Sequence, residues 1–275
     1  MHTWLPDAAE QATPGASTLL VGLLDKIGTL GMIRICLGLF PQASQWATPF
    51  VLVLAVISVL WGATMAVTSK DLMRLVSYTS VSHFGFMIIG IFAVTTTSLT
   101  GSIFYMFNHG FSTAALFLVL GFLVKRRGSA QVDAFGGVQK TAPVLAGMFL
   151  FAGLATMSLP GISNFIGEFM VLAGAWSRHP VYVAVATLGM VLGAVYILLT
   201  YKRTMTGPLT QATKEHVTTD LTGLEKAALT PLVILLLVFG FFPRPMLHVI
   251  EPVAHQTMSI VGVTDPAPAA EEGVK

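Results

Sequence analysis

A series of long apolar runs, each near the length a helix needs to cross a bilayer, limits what this chain can become more than any other feature. About 20 apolar residues cover a hydrocarbon core of about 30 Å. By that measure the sequence holds seven candidate spans, at roughly 17–40, 47–67, 76–95, 101–124, 142–177, 181–201 and 228–248. The runs are continuous rather than alternating, which excludes outer-membrane strands. Only 10% of residues are charged while 54% are hydrophobic, against about 25% charged in a typical soluble protein, so a soluble globule of this length could not be coated. The expected fold is therefore all-α and polytopic, with a transmembrane domain over 1–250. An Ala-, Pro- and Glu-rich disordered tail is expected over 251–275. A net charge of +2 gives no case for nucleic acid, and one cysteine, Cys36, excludes a disulfide framework within the chain.

Charge in the links sets direction. If the spans alternate, one side receives Lys70, Arg74, Lys125, Arg126, Arg127, Lys140, Lys202, Arg203, Lys214 and Lys226, and the other only Arg178, Arg244 and Lys275. The positive-inside rule then places the N-terminus in the cytoplasm and the C-terminus outside. The opening residues carry no basic stretch and no small-residue cleavage site, so no signal peptide is read there. Pro6, Pro14 and Gly15 break that stretch into a partial helix leading into the first span.

The run over 142–177 is too long for one crossing and too short for two. Pro160 and Gly161 stand at its middle. Proline removes a backbone donor and glycine permits an unwound turn. Backbone freed at membrane depth is tolerated only where protein or a wet cavity satisfies it. A packing kink is one reading. A helix broken at an ion path is the other.

Four ionisable groups lie well inside spans: Lys26, His83, His109 and Glu168. A charge at the bilayer centre costs about 2.5–3.5 kcal/mol even on the lenient scale, so each needs a partner, water or a task. Lys26 is about 13 Å along its span, too deep to snorkel comfortably, and its helical neighbours Gly22 and Thr29 leave room for another helix. His83 has Thr79 and Ser80 one turn back. His109 has Tyr105 one turn back and Ser112 and Thr113 one turn on, and Glu168 has Asn164 one turn back. A lone core histidine is commonly a satisfied hydrogen-bonding group. Two on adjacent spans beside a lysine read instead as a string of groups that take and release protons, since free imidazole titrates near pH 6.5. Asp25 points about 100° away from Lys26, and Arg34 reads as an interfacial anchor. No phosphate loop and no metal-spaced Cys/His set is present. A bis-histidine haem on His83 and His109, or a plain structural scaffold, is the alternative from another class.

These residues carry a resemblance. His2-Thr3-Trp4-Leu5-Pro6-Asp7-Ala8, Lys26-Ile27-Gly28-Thr29, Ser77-Tyr78-Thr79-Ser80-Val81-Ser82-His83, Asn108-His109-Gly110, and Leu159-Pro160-Gly161 running on to Gly167-Glu168-Phe169 resemble the antiporter-like membrane subunits of respiratory NADH:quinone oxidoreductase (complex I). Gly167-Glu168-Phe169 is most similar to the chain M branch. The resemblance departs at Ala9, where the family usually has a second histidine, and at Ala12-Thr13-Pro14-Gly15-Ala16-Ser17, where the helix start is rearranged. It implies a fourteen-helix fold of two inverted repeats, of which these spans are the C-terminal half, apparently N-terminally truncated. It also implies a proton relay in which Lys26 is central, His83 and His109 continue the path and Glu168 ends it. No cofactor is expected in this chain. NADH, flavin, iron–sulfur clusters and quinone belong to partner subunits, and the partners are other membrane subunits, including neighbouring antiporter-like ones, and lipid. The implied location is the bacterial inner membrane. A multisubunit sodium/proton antiporter or a related membrane-bound hydrogenase shares these motifs and stays open as an alternative.

Overall fold

The computed structural model describes residues 3–265. Met1 and His2 of the opening motif, and 266–275 of the expected tail with Lys275, lie outside the described residues. Helices dominate, in the order α1 (Trp4–Gln11), α2 (Pro14–Leu19), a π-helical stretch (Leu20–Leu24), α3 (Lys26–Gly31), a second π stretch (Met32–Leu37), α4 (Pro41–Thr68), α5 (Leu72–Phe92), α6 (Thr96–Arg127), α7 (Pro143–Thr156), α8 (Ser163–Trp176), α9 (Pro180–Thr204), α10 (Gln211–His216), α11 (Gly223–Phe241) and α12 (Arg244–Val261). Among the described residues no strand forms, and one isolated bridge joins Asp71 to Gln131.

Five helices, α4, α5, α6, α9 and α11, are each long and apolar enough to cross a membrane. The other two expected spans are irregular. The 17–40 run alternates α and π turns, and the 142–177 run is two half-helices, α7 and α8, separated at Met157–Ile162. Ser158 and Gly161 in that break adopt left-handed φ of 58° and 95°. Glycine takes that region freely whereas serine is strained in it, so packing must hold Ser158 there. The expected partial helix at the start is α1, with Pro6 in its first turn.

The tail is a correction. It was expected to be disordered from 251, but α12 continues to Val261 and ends on Gly262 with φ 74°. The charged and breaking residues His248, Glu251, Pro252 and His255 masked an amphipathic helix, which buries Ile250, Ala254, Thr257, Met258 and Val261.

Local chemistry sets the ends. Asp71 accepts from the Met73 and Arg74 amides and starts α5, and Thr95 starts α6. A capping box of Thr222 and Glu225 starts α11. The start of α7 is capped from a distance, because the Asp220 carboxylate accepts from the Val144 and Leu145 amides at 2.8 and 2.9 Å. At the same end, Arg126 forks onto Glu225 at 2.8 and 2.6 Å, and Arg74 pairs with Asp7 and Glu10 to hold α1 against α5.

The centre of the bundle is α5, with 94% of its apolar window buried, against 11% for α11 at the periphery. The apolar core divides into two clusters. One takes Leu72–Val81 of α5, Ala115–Leu123 of α6 and Tyr196 of α9; the other takes Phe84–Ile91 of α5, Leu99–Met106 of α6 and Val183 of α9. His83 of α5 and Asn108, His109 and Ser112 of α6 fall where the two clusters meet, in mid-bundle, and Asn164 and Glu168 of α8 reach the same level.

Candidate functional site

Four helices meet at that level, and each contributes a polar group that the apolar core cannot satisfy alone. His83 of α5 is 4% exposed, His109 of α6 is 0% and Glu168 of α8 is 2%. Tyr105 of α6 and Tyr196 of α9 are buried beside them. The Tyr105 hydroxyl lies 2.5 Å from His83 Nδ1 and donates to Glu168 Oε2 at 3.2 Å. The Tyr196 hydroxyl lies 3.3 Å from His83 Nε2. The His83 and His109 rings stand 5.1 Å apart, centroid to centroid. Tyr196, His83, Tyr105 and Glu168 thus form one unbroken hydrogen-bonded string, with the His109 ring packed against it.

Close backbone approach makes this possible. A Cβ added to Gly167 would fall 2.8 Å from the Cα and Cβ of Tyr105, so only glycine lets α8 lie on the α6 backbone and bring the next residue, Glu168, to the Tyr105 hydroxyl. The half-helix break supplies neighbours. Ser158 sits close to the Glu168 carboxylate and to Tyr105, yet its hydroxyl makes no well-aligned hydrogen bond. It is adjacent to both groups and bonded to neither. Asn164 of α8 donates to Ser112 Oγ of α6 at 2.8 Å, and Thr113 Oγ1 lies 3.1 Å from His109 Nε2. Several buried polar atoms on this level have no protein partner: His109 Nδ1, Asn108 Oδ1, Asn164 Oδ1, Ser158 Oγ, Ser163 Oγ and Ser80 Oγ.

Lys26 stands apart from the string. It opens α3 directly after the Leu20–Leu24 π stretch and Asp25, a helix defect frequent at functional sites. Its amine donates to the Val21 carbonyl at 2.5 Å and lies 5.1 Å from the centre of the Phe84 ring. Phe84 in turn lies 5.9 Å from the His109 ring, so one aromatic side chain separates the amine from the string. Gly22 and Gly110 let the two helices touch here, since a Cβ on Gly110 would fall 2.7 Å from the Gly22 carbonyl. Lys26 also lines an apolar cavity of about 510 Å³ with Ile103, Phe107, Gly110 and Val253. Asp25 is buried at 8% exposure, and its Oδ2 has no partner.

The structure therefore gathers His83, His109, Glu168, Tyr105, Ser112 and Asn164 on one level and sets Lys26 beside it. Thr79 bonds the Val76 carbonyl and the Ser80 hydroxyl has no protein partner, so neither bonds His83 directly. Residues one turn apart share a face but need not share a partner, because short hydroxyls are readily captured by their own helix. Tyr105 packs edge-on against the His109 ring, as expected, with 6.1 Å between centroids, and also spans His83 and Glu168. Tyr196 was missed, since nothing in the 181–201 run separates it from Tyr182 or Tyr201. A haem between the two histidines is incompatible with both nitrogens of His83 being engaged by tyrosine hydroxyls. Among the described residues no three His, Cys, Asp or Glu side chains gather as a metal site.

A broken helix and a string of buried titratable side chains in mid-bundle define a multi-pass membrane protein of antiporter-like type. The chain belongs to the NADH:quinone oxidoreductase/Mrp antiporter transmembrane family, whose family model matches residues 1–193. It is 49% identical over 273 residues to the NADH-quinone oxidoreductase subunit M of Mycobacterium tuberculosis, covering 99% of this chain and 49% of that protein. It is 40% identical to the subunit M of Rickettsia prowazekii over 90% of this chain and 50% of that one. The chain thus spans about half the length of these relatives. A chain of respiratory complex I from Thermus thermophilus superposes with a TM-score of 0.86 at 31% identity, over 95% of this chain and 55% of that one. A chain of the Mrp complex from Dietzia shares the fold, with a TM-score of 0.83 at 21% identity over 94% of this chain and 57% of that one.

Proposed function

We propose that this chain is an antiporter-like unit of a respiratory NADH:quinone oxidoreductase, passing protons along Lys26, His109, His83, Tyr105 and Glu168 while other subunits carry out electron transfer. The observation that carries this reading is the buried string of Tyr196, His83, Tyr105 and Glu168. Amine, imidazole and carboxyl can each hold or release one proton, and the tyrosine hydroxyl between His83 and Glu168 can donate on one side while accepting on the other. Consecutive members of the string lie within hydrogen-bond distance, so a proton passed along it is never far from a group that can take it.

Lys26 reaches this string only across the Phe84 ring, over whose face its amine lies, and the interval is one for water to bridge. The unpartnered His109 Nδ1, Asn108 Oδ1 and Asn164 Oδ1 are the sites where such water would hydrogen-bond. The strained turn at Ser158 and the break at Pro160–Gly161 open the backbone beside Glu168, giving that end of the path its own access. The end carrying Lys70, Arg74, Lys125, Arg126 and Arg127 faces the cytoplasm of a bacterial inner membrane. Flavin, iron–sulfur clusters, NADH and quinone are held by partner subunits, and the exposed apolar helix faces meet lipid and neighbouring membrane subunits.

The test is Lys26→Ala and Glu168→Gln in the intact complex reconstituted in vesicles. Each should lower the number of protons moved per electron while electron transfer persists in the uncoupled state. Wild-type stoichiometry in both variants rejects the path. Translocation that follows sodium rather than protons, with electron transfer absent, would instead assign the chain to a cation/proton antiporter.

A further inference from the structure

His83 is unusual among the buried groups because both of its ring nitrogens are engaged, and by the same kind of group. Tyr105 faces Nδ1 at 2.5 Å and Tyr196 faces Nε2 at 3.3 Å. A neutral imidazole carries one N–H and one lone pair. One hydroxyl must therefore accept from the ring while the other donates to it. Which does which is not free, because Tyr105 also bonds Glu168 Oε2.

Two arrangements satisfy every group. With Glu168 ionised, the carboxylate only accepts, so the Tyr105 hydroxyl donates to it and its oxygen accepts from His83 Nδ1–H. Nε2 is then a bare lone pair, and Tyr196 must donate to it. With a proton on Glu168 Oε2, every bond reverses. Glu168 donates to Tyr105, Tyr105 donates to Nδ1, and Nε2–H donates to Tyr196. A hydroxyl makes both arrangements by turning about its C–O bond; a phenyl ring makes neither. Resting on the proton path above, we propose that Tyr196 holds either tautomer of His83 and hands a proton to Nε2, so that the ring reverses its proton in step with the protonation of Glu168.

The consequence is directional. As Glu168 takes the Tyr105 proton, Tyr105 takes the one on Nδ1, and Nε2 takes the proton that Tyr196 was donating while Tyr196 accepts the next proton to arrive, so His83 is left with its proton on Nε2 and its lone pair on Nδ1. It cannot pass a second proton toward Tyr105 until the ring is reset, and Tyr196 keeps that waiting state bonded. The other titratable groups facing His83 are His109 and Lys26, and neither bonds it. The tautomer is therefore read from the two tyrosines and Glu168.

Two measurements on the assembled complex test this. In the first, Tyr196→Phe removes one oxygen and keeps the ring that fills the core. Proton translocation should slow roughly tenfold, the scale of one lost hydrogen bond to a reacting group, and its pH profile should shift. A wild-type rate and profile in Tyr196→Phe, with Glu168→Gln still lowering translocation, would overturn the role of Tyr196 and leave the path intact. Wild-type translocation in Glu168→Gln would remove the path itself. The second needs no variant that must fold. Magnetic-resonance spectra of ¹⁵N-histidine-labelled complex should show His83 protonated on Nδ1 when Glu168 is ionised and on Nε2 when it is protonated, with Glu168 followed by its carboxyl stretch. One unchanged tautomer across that titration overturns the proposal.

Discussion

Gly167→Ala adds a single methyl group, and the structure gives the size of its effect. The new Cβ would sit 2.8 Å from Tyr105 Cα and Cβ and 2.9 Å from its nitrogen, where ordinary contact begins at 3.4 Å. Two of these atoms are backbone inside a helix and cannot swing aside. The half-helix α8 must therefore retreat by roughly 0.6 Å. Glu168 is the next residue and moves with it, so its 3.2 Å bond from Tyr105 passes the limit at which such a contact still counts as a hydrogen bond. Overpacking of this kind costs about 1–3 kcal/mol, and the lost bond to a carboxyl group is of similar size. Vesicles containing the complex, followed by a pH-sensitive dye during NADH oxidation, should show proton uptake reduced about tenfold or more, with the assembled complex still present on a native gel. Gly167→Ser should behave alike, because the obstacle is the Cβ. Full proton uptake in Gly167→Ala would show that the contact between α6 and α8 does not set the position of Glu168.

Three further outcomes follow from the same structure. Arg126→Ala leaves Glu225, 14% exposed, without its forked partner and frees the carbonyls of Phe122, Thr219 and Asp220, so a thermal-shift assay should show a loss of about 3 kcal/mol in stability, little recovered by Arg126→Lys, which lacks the fork. Asp220→Ala removes the cap of α7 and should cost about 1 kcal/mol in the same assay, with more rapid hydrogen exchange at Val144 and Leu145. Burial pushes the Asp71 carboxyl above the usual aspartate range despite the Arg74 and Met73 amides that bond it. A raised acid is stabilised in its protonated form, so its ionised form weakens the fold at neutral pH and the penalty fades as pH falls through the raised value. Asp71→Asn, which keeps an oxygen for the two amides, should match or exceed the wild-type melting temperature at pH 7, the two converging in acid.

The spans were legible because a bilayer imposes a length on apolar runs. The runs at 47–67, 76–95, 101–124 and 181–201 became α4, α5, α6 and α9, and Pro160–Gly161 marked the break between α7 and α8. The irregular turns around Lys26 were not legible. Nothing in Leu20–Leu24 distinguishes a π turn from an α turn, and the close approach of Gly22 to Gly110 of α6 is a tertiary contact. The helix α12 was hidden because its polar face reads as a soluble tail when its partner surface is unknown. At the site, burial made Lys26, His83, His109 and Glu168 visible individually, since each is costly in lipid. Their pairing was not visible. Helical periodicity assigns a face, whereas Tyr105 reaches His83 across two helices and Tyr196 arrives from a third. Thr79 shares the face but turns back to its own helix, and the Ser80 hydroxyl has no protein partner.

The central claim is that Glu168 gains and loses a proton as the protein works, and time-resolved infrared difference spectroscopy of the complex during turnover reads this directly. A carboxylic C=O band should rise and decay with each cycle, shift on transfer to heavy water, and be missing in Glu168→Gln. A band that persists in Glu168→Gln, or a wild-type complex that turns over without one, would contradict the account.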